Sequence, residues 1–176
     1  MSVEAISYIA DIKQDNDVRL GERMIMLVTS FDFQTAVEQL KTDLEVDIVL
    51  LALAEQEDSF CLKWKCAAGN SNDRYRRVML KSGKGVVGNV FKTGKPVVIP
   101  DVDDHPIRNE LYNYPMIQFE KIKSFIALPL WQSYRVKAVL LIGSRTASQL
   151  QDIDYDAVIK RIGYDFGPLQ VQELMT

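Results

Sequence analysis

Residues 82–88 read Ser82-Gly83-Lys84-Gly85-Val86-Val87-Gly88. The glycines at 83, 85 and 88 have the G-x-G-x-x-G spacing of a dinucleotide-binding loop. Arg77-Val78-Met79-Leu80 precedes them as a potential strand, and Asp103 stands twenty residues after Gly83, where a ribose-binding acid would sit. The surrounding chain removes this reading. Val86 to Thr93 is too short for the crossover of a parallel βαβ unit, which needs about a dozen residues or more. The next extended stretch carries Pro96 and Pro100, which a central parallel strand does not tolerate. No run of further βα units follows. A P-loop fails as well, because Gly88 to Lys95 is G-x5-G-K followed by proline. What remains is a glycine-shaped helix start. Its first backbone N–H groups have no partner within the helix, and with the helix dipole they attract a small anion. The amides of Val86 and Val87 are the first candidates.

The 176 residues suit one domain of ordinary size, and 47% hydrophobic content supports a substantial core. No apolar run reaches the roughly 18–20 residues of a membrane helix. The first residues, MSVEAISYIADIKQDND, carry acids early and lack the basic and apolar regions of a secretory signal. A soluble cytoplasmic protein without membrane contact is expected. A formal net charge of −3 argues against a dedicated nucleic-acid binder. The charge is uneven: Arg74, Arg76, Arg77, Lys81, Lys84, Lys92 and Lys95 follow one another with no acid between them. This run is either a solvated face or a positive field near an anion site. Cys61 and Cys66 lie in one expected strand, and their odd offset places them on opposite faces. With His105 they cannot make a four-ligand zinc site, so no metal and reduced thiols are expected.

Along the chain, Val18–Val28 and Phe31–Leu44 read as helices, the second with Phe33, Val37, Leu40 and Leu44 on one face and Thr29 or Ser30 as its cap. Val46–Ala54 is a dense apolar strand. After a polar turn, Phe60, Leu62, Trp64 and Cys66 alternate with Cys61, Lys63 and Lys65 as its hairpin partner. Val86–Thr93 is a short helix closed by Gly94. Pro96–Val102 is an edge piece between prolines. Asp103–Lys123 is a long connection with a helical turn at Pro106–Leu111. Ser124–Leu130 and Val136–Gly143 are two more strands. A last helix is capped by Asp152 or Asp154, with Ile153, Ala157, Ile159, Ile162 and Phe166 inside. Strands cluster instead of alternating with long helices, so the fold class is α+β: one mostly antiparallel sheet with helices packed on a face. The expected organisation is an N-terminal helical extension over 1–29 and a single domain over 30–176.

The segment L-x-S-G-K-G-V-V-G-N-V-F-K-T-G-K-P-V-V-I-P-D-V, then Lys123-Ser124-Phe125-Ile126-Ala127-Leu128-Pro129-Leu130, then Val139-Leu140-Leu141-Ile142-Gly143, resembles a GAF domain over about residues 30–165. The resemblance implies a six-stranded antiparallel sheet with the terminal helices on one face, a sensory role, and often dimerisation through those helices. Within the family, LKWKCAAGNSNDRYRRVMLKSGKGVVGNV and LYNYPMIQFEKIKSFIALPLW are similar to the free-standing nitrate receptors of the Nre nitrate/oxygen regulatory system of Gram-positive bacteria. That likeness implies nitrate as ligand, no cofactor, no catalysis, and a sensor histidine kinase as partner. Residue by residue it implies a nitrate site at Trp64, at Val86 and Val87, and at Tyr114, Pro115 and Met116.

The physics of the ion agrees with these positions. Nitrate is planar, singly charged and weakly basic, so helix-start amides satisfy its oxygens and the helix dipole offsets its charge. Trp64 covers a face and has an N–H to donate. Tyr114 and Pro115 close an apolar wall, and the Met116 amide is a further donor. Aliphatic flanks disfavour phosphate, whose additional polar atoms would stay unpaired. The N-terminal extension departs from the family pattern, as does an unbranched Met116. Two other functions stay open: a GAF domain for another small ligand, and a free methionine-R-sulfoxide reductase. The latter would need cysteines in the long connecting loop, which has none.

Overall fold

Six strands form one sheet in the order β3-β2-β1-β6-β5-β4, every neighbouring pair antiparallel. They are β1 (Ile48–Ala54), β2 (Cys61–Ala68), β3 (Met79–Lys81), β4 (Val97–Ile99), β5 (Ser124–Gln132) and β6 (Arg135–Ser144). Helices α1 (Phe33–Leu44), α2 (Gly85–Thr93), α3 (Pro115–Phe119) and α4 (Tyr155–Asp165) complete the α+β layout, with 3-10 segments at Asp73–Arg77 and Pro106–Asn113. The computed structural model describes residues 31–58, 60–150 and 155–171. The helix expected at Val18–Val28, Thr29 and Ser30, and Asp152 to Asp154 lie outside them. All elements above belong to the unit Asp32–Thr176. No helix among the described residues is long and apolar enough to cross a membrane.

The central strands have long apolar stretches buried on both sides, Ile48–Ala52 in β1, Phe125–Leu130 in β5 and Ala138–Gly143 in β6, while the start of β6 at Arg135–Lys137 is largely exposed. Their two faces separate cleanly by register. Leu51 pairs with Leu140, and Leu140 with Leu128, so these residues share one face. Helix α1 packs there, burying Phe33, Val37 and Leu40, and α4 adds Val158 and Ile162. The other face carries Ile48, Leu50, Ala52, Phe125, Ala127, Val139 and Leu141, roofed by α2, α3 and the long connection. Terminal helices thus take one face, as expected.

Three local expectations are corrected. Helix α1 is capped by Asp32, not by Thr29 or Ser30. The Asp32 carboxylate accepts from the Thr35 N–H at 3.0 Å and the Thr35 hydroxyl at 2.6 Å, which satisfies a first-turn donor. In α4 the inward residue is Val158, whereas Ala157 is exposed. The long connection Asp103–Lys123, expected to hold a helical turn at Pro106–Leu111, also contains α3, with Pro115 at its first position where the missing N–H costs nothing.

A fourth correction concerns β2. Trp64 pairs with Ala52 and Cys66 with Leu51, so Lys65 is an extra residue, a β-bulge. The bulge resets the alternation. Leu62, Trp64 and Ala67 face the roofed side, while Cys66 and Ala68 share the α1 side with Lys63 and Cys61. Cys61 and Cys66 therefore lie on the same face, not on opposite ones, and both are free thiols. Phe60, expected inside, is 72% exposed. The short strand β4 lies at the sheet edge between Pro96 and Pro100, where prolines are tolerated.

Candidate functional site

The glycine stretch builds one end of the site. Gly83 and Gly85 have φ of +76° and +66°, left-handed conformations that favour glycine. At Gly88 the reason is different: a Cβ there would stand 2.1 Å from the Lys81 carbonyl oxygen. Helix α2 lies directly on β3, and only hydrogen fits between them. The Gly83 N–H closes the turn by donating to the Gly88 carbonyl at 2.8 Å. No side chain caps the first turn of α2. Among the described residues, neither the Val86 nor the Val87 amide donates to a group outside the helix. At its far end Gly94 terminates α2 in a left-handed cap, donating to the Val90 carbonyl at 2.8 Å.

Trp64 supplies the floor from β2. It is 3% exposed, and its indole N–H is buried with no hydrogen-bond partner among the described residues. Such groups are normally satisfied, and leaving one unmade costs about 1–3 kcal/mol. The third wall comes from the long connection. Its 3-10 segment starts at His105, whose Nδ1 accepts from the Ile107 N–H at 3.2 Å. It ends at Asn113 and hands over through Tyr114 to α3. Met116 and Ile117 are buried there, and Tyr114 is half-buried. The Tyr114 ring passes 3.4 Å from where a Gly85 Cβ would lie, so this wall closes against the glycine turn. Burial pushes the Tyr114 phenol up, helped by the negative charge of Glu110, so it stays protonated at neutral pH.

These three elements enclose a cavity of about 570 Å³. Its lining includes Trp64, Val86, Val87, Tyr114, Pro115 and Met116, so all six residues singled out in the sequence come together. The inner part is completed by Leu141 and Ile117, and the mouth by Lys81, Lys84, Asn89, Glu110 and Asn113. Sequence reasoning missed most of these additions. The basic run pointed to Lys81 and Lys84, but Leu141 and Ile117 carry no signal beyond being apolar. Within that run, among the described residues, none of the seven cations forms an ion pair with a carboxylate. At the mouth Glu110 lines the cavity beside Lys81 and Lys84, and Asp58 lies within electrostatic reach of Lys81.

The thiols sit elsewhere. Cys61 donates to Asp58 at 3.0 Å, and that hydrogen bond raises its pKa, with burial adding to it. Burial raises Cys66, beside α1. Neither lines the cavity, and both are pushed away from the reactive thiolate. No cluster of three or more potential metal ligands occurs among the described residues.

Known proteins place this architecture. A Staphylococcus aureus NreA protein mutated in its nitrate binding site is 31% identical, with a TM-score of 0.66, covering 73% of this chain and 96% of its own. A hypothetical Staphylococcus aureus protein, SA1058, is 32% identical with a TM-score of 0.61, covering 65% of this chain and 93% of its own. A Nif-specific regulatory protein from Herbaspirillum seropedicae is 26% identical over 143 residues, 79% of this chain. The chain spans about a quarter (26%) of that relative's length. The profile of the GAF domain matches residues 33–161. With six antiparallel strands, terminal helices on one face and a cavity under the other, the chain belongs to the GAF domain family.

Proposed function

We propose that the protein is a nitrate sensor whose cavity holds the ion between Trp64, the first turn of α2 and the Tyr114–Met116 wall. The observation that carries this reading is the buried, unpartnered indole N–H of Trp64, in a cavity that also contains an uncapped helix start. An anion there satisfies the indole and the amides of Val86 and Val87 together, and the helix dipole favours its charge. The inner part of the lining, with Val87, Met116, Ile117 and Leu141, offers little to the extra hydroxyls of phosphate. Lys81 and Lys84 at the mouth raise the local anion concentration. The likeness to a protein with a nitrate binding site supports the choice of ion.

The output is regulatory and needs no catalytic group: binding shifts the α3 wall, and this alters contact with a sensor histidine kinase. Such a shift requires only that two conformations bind nitrate unequally. The likeness to a Nif-specific regulatory protein supports a signalling role. A homodimer through the terminal helices and a cytoplasmic setting fit the same role. A second reading rests on volume. A cavity of about 570 Å³ lies in the range of small-molecule sites and exceeds what a four-atom ion fills, so a larger organic anion is the competing ligand. A methionine sulfoxide reductase is disfavoured, because both cysteines lie on the sheet face away from the cavity.

Calorimetric titration with nitrate, nitrite, chloride and phosphate tests the proposal. Nitrate is expected to bind in preference to the other three. The absence of both heat and thermal shift at millimolar nitrate sinks it. Autophosphorylation of a candidate kinase, with and without the protein and nitrate, tests the output. Turnover of free methionine sulfoxide would establish the enzyme instead.

A further inference from the structure

We infer that Arg145 is a positioning residue for the ligand wall: acting through Glu120, it fixes Tyr114, Pro115 and Met116 in place against α2. The inference rests on the proposed anion site. Among the described residues Glu120 is the one buried charged side chain, 2% exposed. It directly follows α3, and its N–H donates to the Met116 carbonyl at 3.0 Å. The residue that holds Glu120 therefore also holds the peptide that lines the cavity.

Arg145, just past the end of β6, does this with several bonds at once. Its Nη2 donates to the Glu120 carboxylate and to the Gly69 carbonyl, each at 2.9 Å, and its Nε donates to the Glu120 carbonyl at 3.0 Å. The Ser71 N–H also donates to the Glu120 carboxylate at 2.9 Å. One guanidinium thus joins the end of α3 to the loop after β2, and β2 carries Trp64. A lysine ammonium has the charge but not the planar fork that reaches three acceptors. Arg145 is itself anchored, since its N–H donates to the Asp47 carboxylate at 2.7 Å. Asp47 precedes β1 and follows α1, so the wall is tied to the helix face of the sheet by consecutive hydrogen bonds.

Hydrogen–deuterium exchange, thermal melting and nitrate titration on Arg145→Lys, Glu120→Gln and the double variant test this. In each single variant, exchange at residues 115–122 is expected to rise by about tenfold or more, while amides of β5 and β6 keep wild-type rates. The nitrate Kd is expected to rise by roughly tenfold. The double variant should be no worse than the worse single one, as for residues acting through one contact. Unchanged exchange at 115–122 overturns the inference. So does a uniform rise across the sheet, which marks a merely stabilising ion pair, and so does local loosening with an unchanged Kd. If the wild-type chain binds no nitrate, the proposed function fails by itself; exchange needs no ligand and still decides whether Arg145 holds the wall.

Discussion

The two faces of the sheet are made from the same strands and nearly the same residue types, yet they differ in how they are covered. On one face, Leu51, Leu128 and Leu140 are fully buried under α1 and α4, twelve and eleven residues long. On the other, Leu50, Ala127 and Leu141 lie under the nine-residue α2, the five-residue α3 and a 3-10 segment. Long helices lay a continuous apolar stripe on a sheet and exclude water. Short elements arriving from different directions leave space between their ends, and those ends expose backbone donors. The cavity and its unpaired indole follow from this difference in cover rather than from any unusual polar residue in the strands.

The comparison predicts that substitutions on the two faces separate binding from stability. Trp64 should show the largest effect. Trp64→Ala should abolish nitrate binding and lower stability by about 3–5 kcal/mol. Trp64→Phe is sharper: it removes the orphan N–H, so nitrate binding should still fall at least about tenfold while stability changes by less than about 1.5 kcal/mol. Calorimetry and denaturant melts read both; retained affinity in either variant removes Trp64 from the site. On the closed face, Leu51→Ala should cost about 2–5 kcal/mol and leave the nitrate Kd of the folded protein unchanged. A matching loss of affinity would show that the two faces are not separable.

Gly85→Ala should have an intermediate effect. It strains a φ of +66° and places a Cβ 3.4 Å from the Tyr114 ring, for a loss of about 1–2 kcal/mol and a severalfold weaker nitrate Kd. The smallest effect belongs to Asp47. Its carboxyl is held below the usual range, first by the Arg145 N–H and then by the Ser144 hydroxyl, against an opposing push from burial. A lowered folded value means that ionised Asp47 stabilises the protein above its unfolded pKa of about 3.9. The contribution fades as pH falls through that value and then through the folded one. Asp47→Asn should therefore cost about 1 kcal/mol at pH 7, and the gap to wild type should close in melts toward pH 3.

Most of the architecture was legible because the central strands carry long apolar stretches and the breakers are strong. Gly94, Pro96 and Pro100 set the end of α2 and the edge position of β4. The six site residues were reached through resemblance, with SGKGVVG as the physical anchor, and the fold brings all six to one cavity. What the sequence hid depends on contacts between distant segments. Nothing local marks Lys65 as an extra residue, since a bulge is defined by its partner strand, and so the parity argument for Cys61 and Cys66 failed. Asp32 displaced Thr29 and Ser30 as a cap because all three have suitable side chains and only the helix start decides among them. Glu120 and Arg145 look like surface charges until a fold joins positions 25 residues apart.

The bulge in β2 also partitions the strand. Trp64, the ligand floor, stands just before Lys65, and the residues after it lead to the loop held by Arg145. Because Lys65 has no partner in β1, deleting it would leave Trp64 opposite Ala52 and Cys66 opposite Leu51, an unbroken ladder with no side chain turned over. The ligand floor at Trp64 and the α1-facing Cys66 and Ala68 thus lie on opposite sides of the bulge, on opposite faces of the sheet.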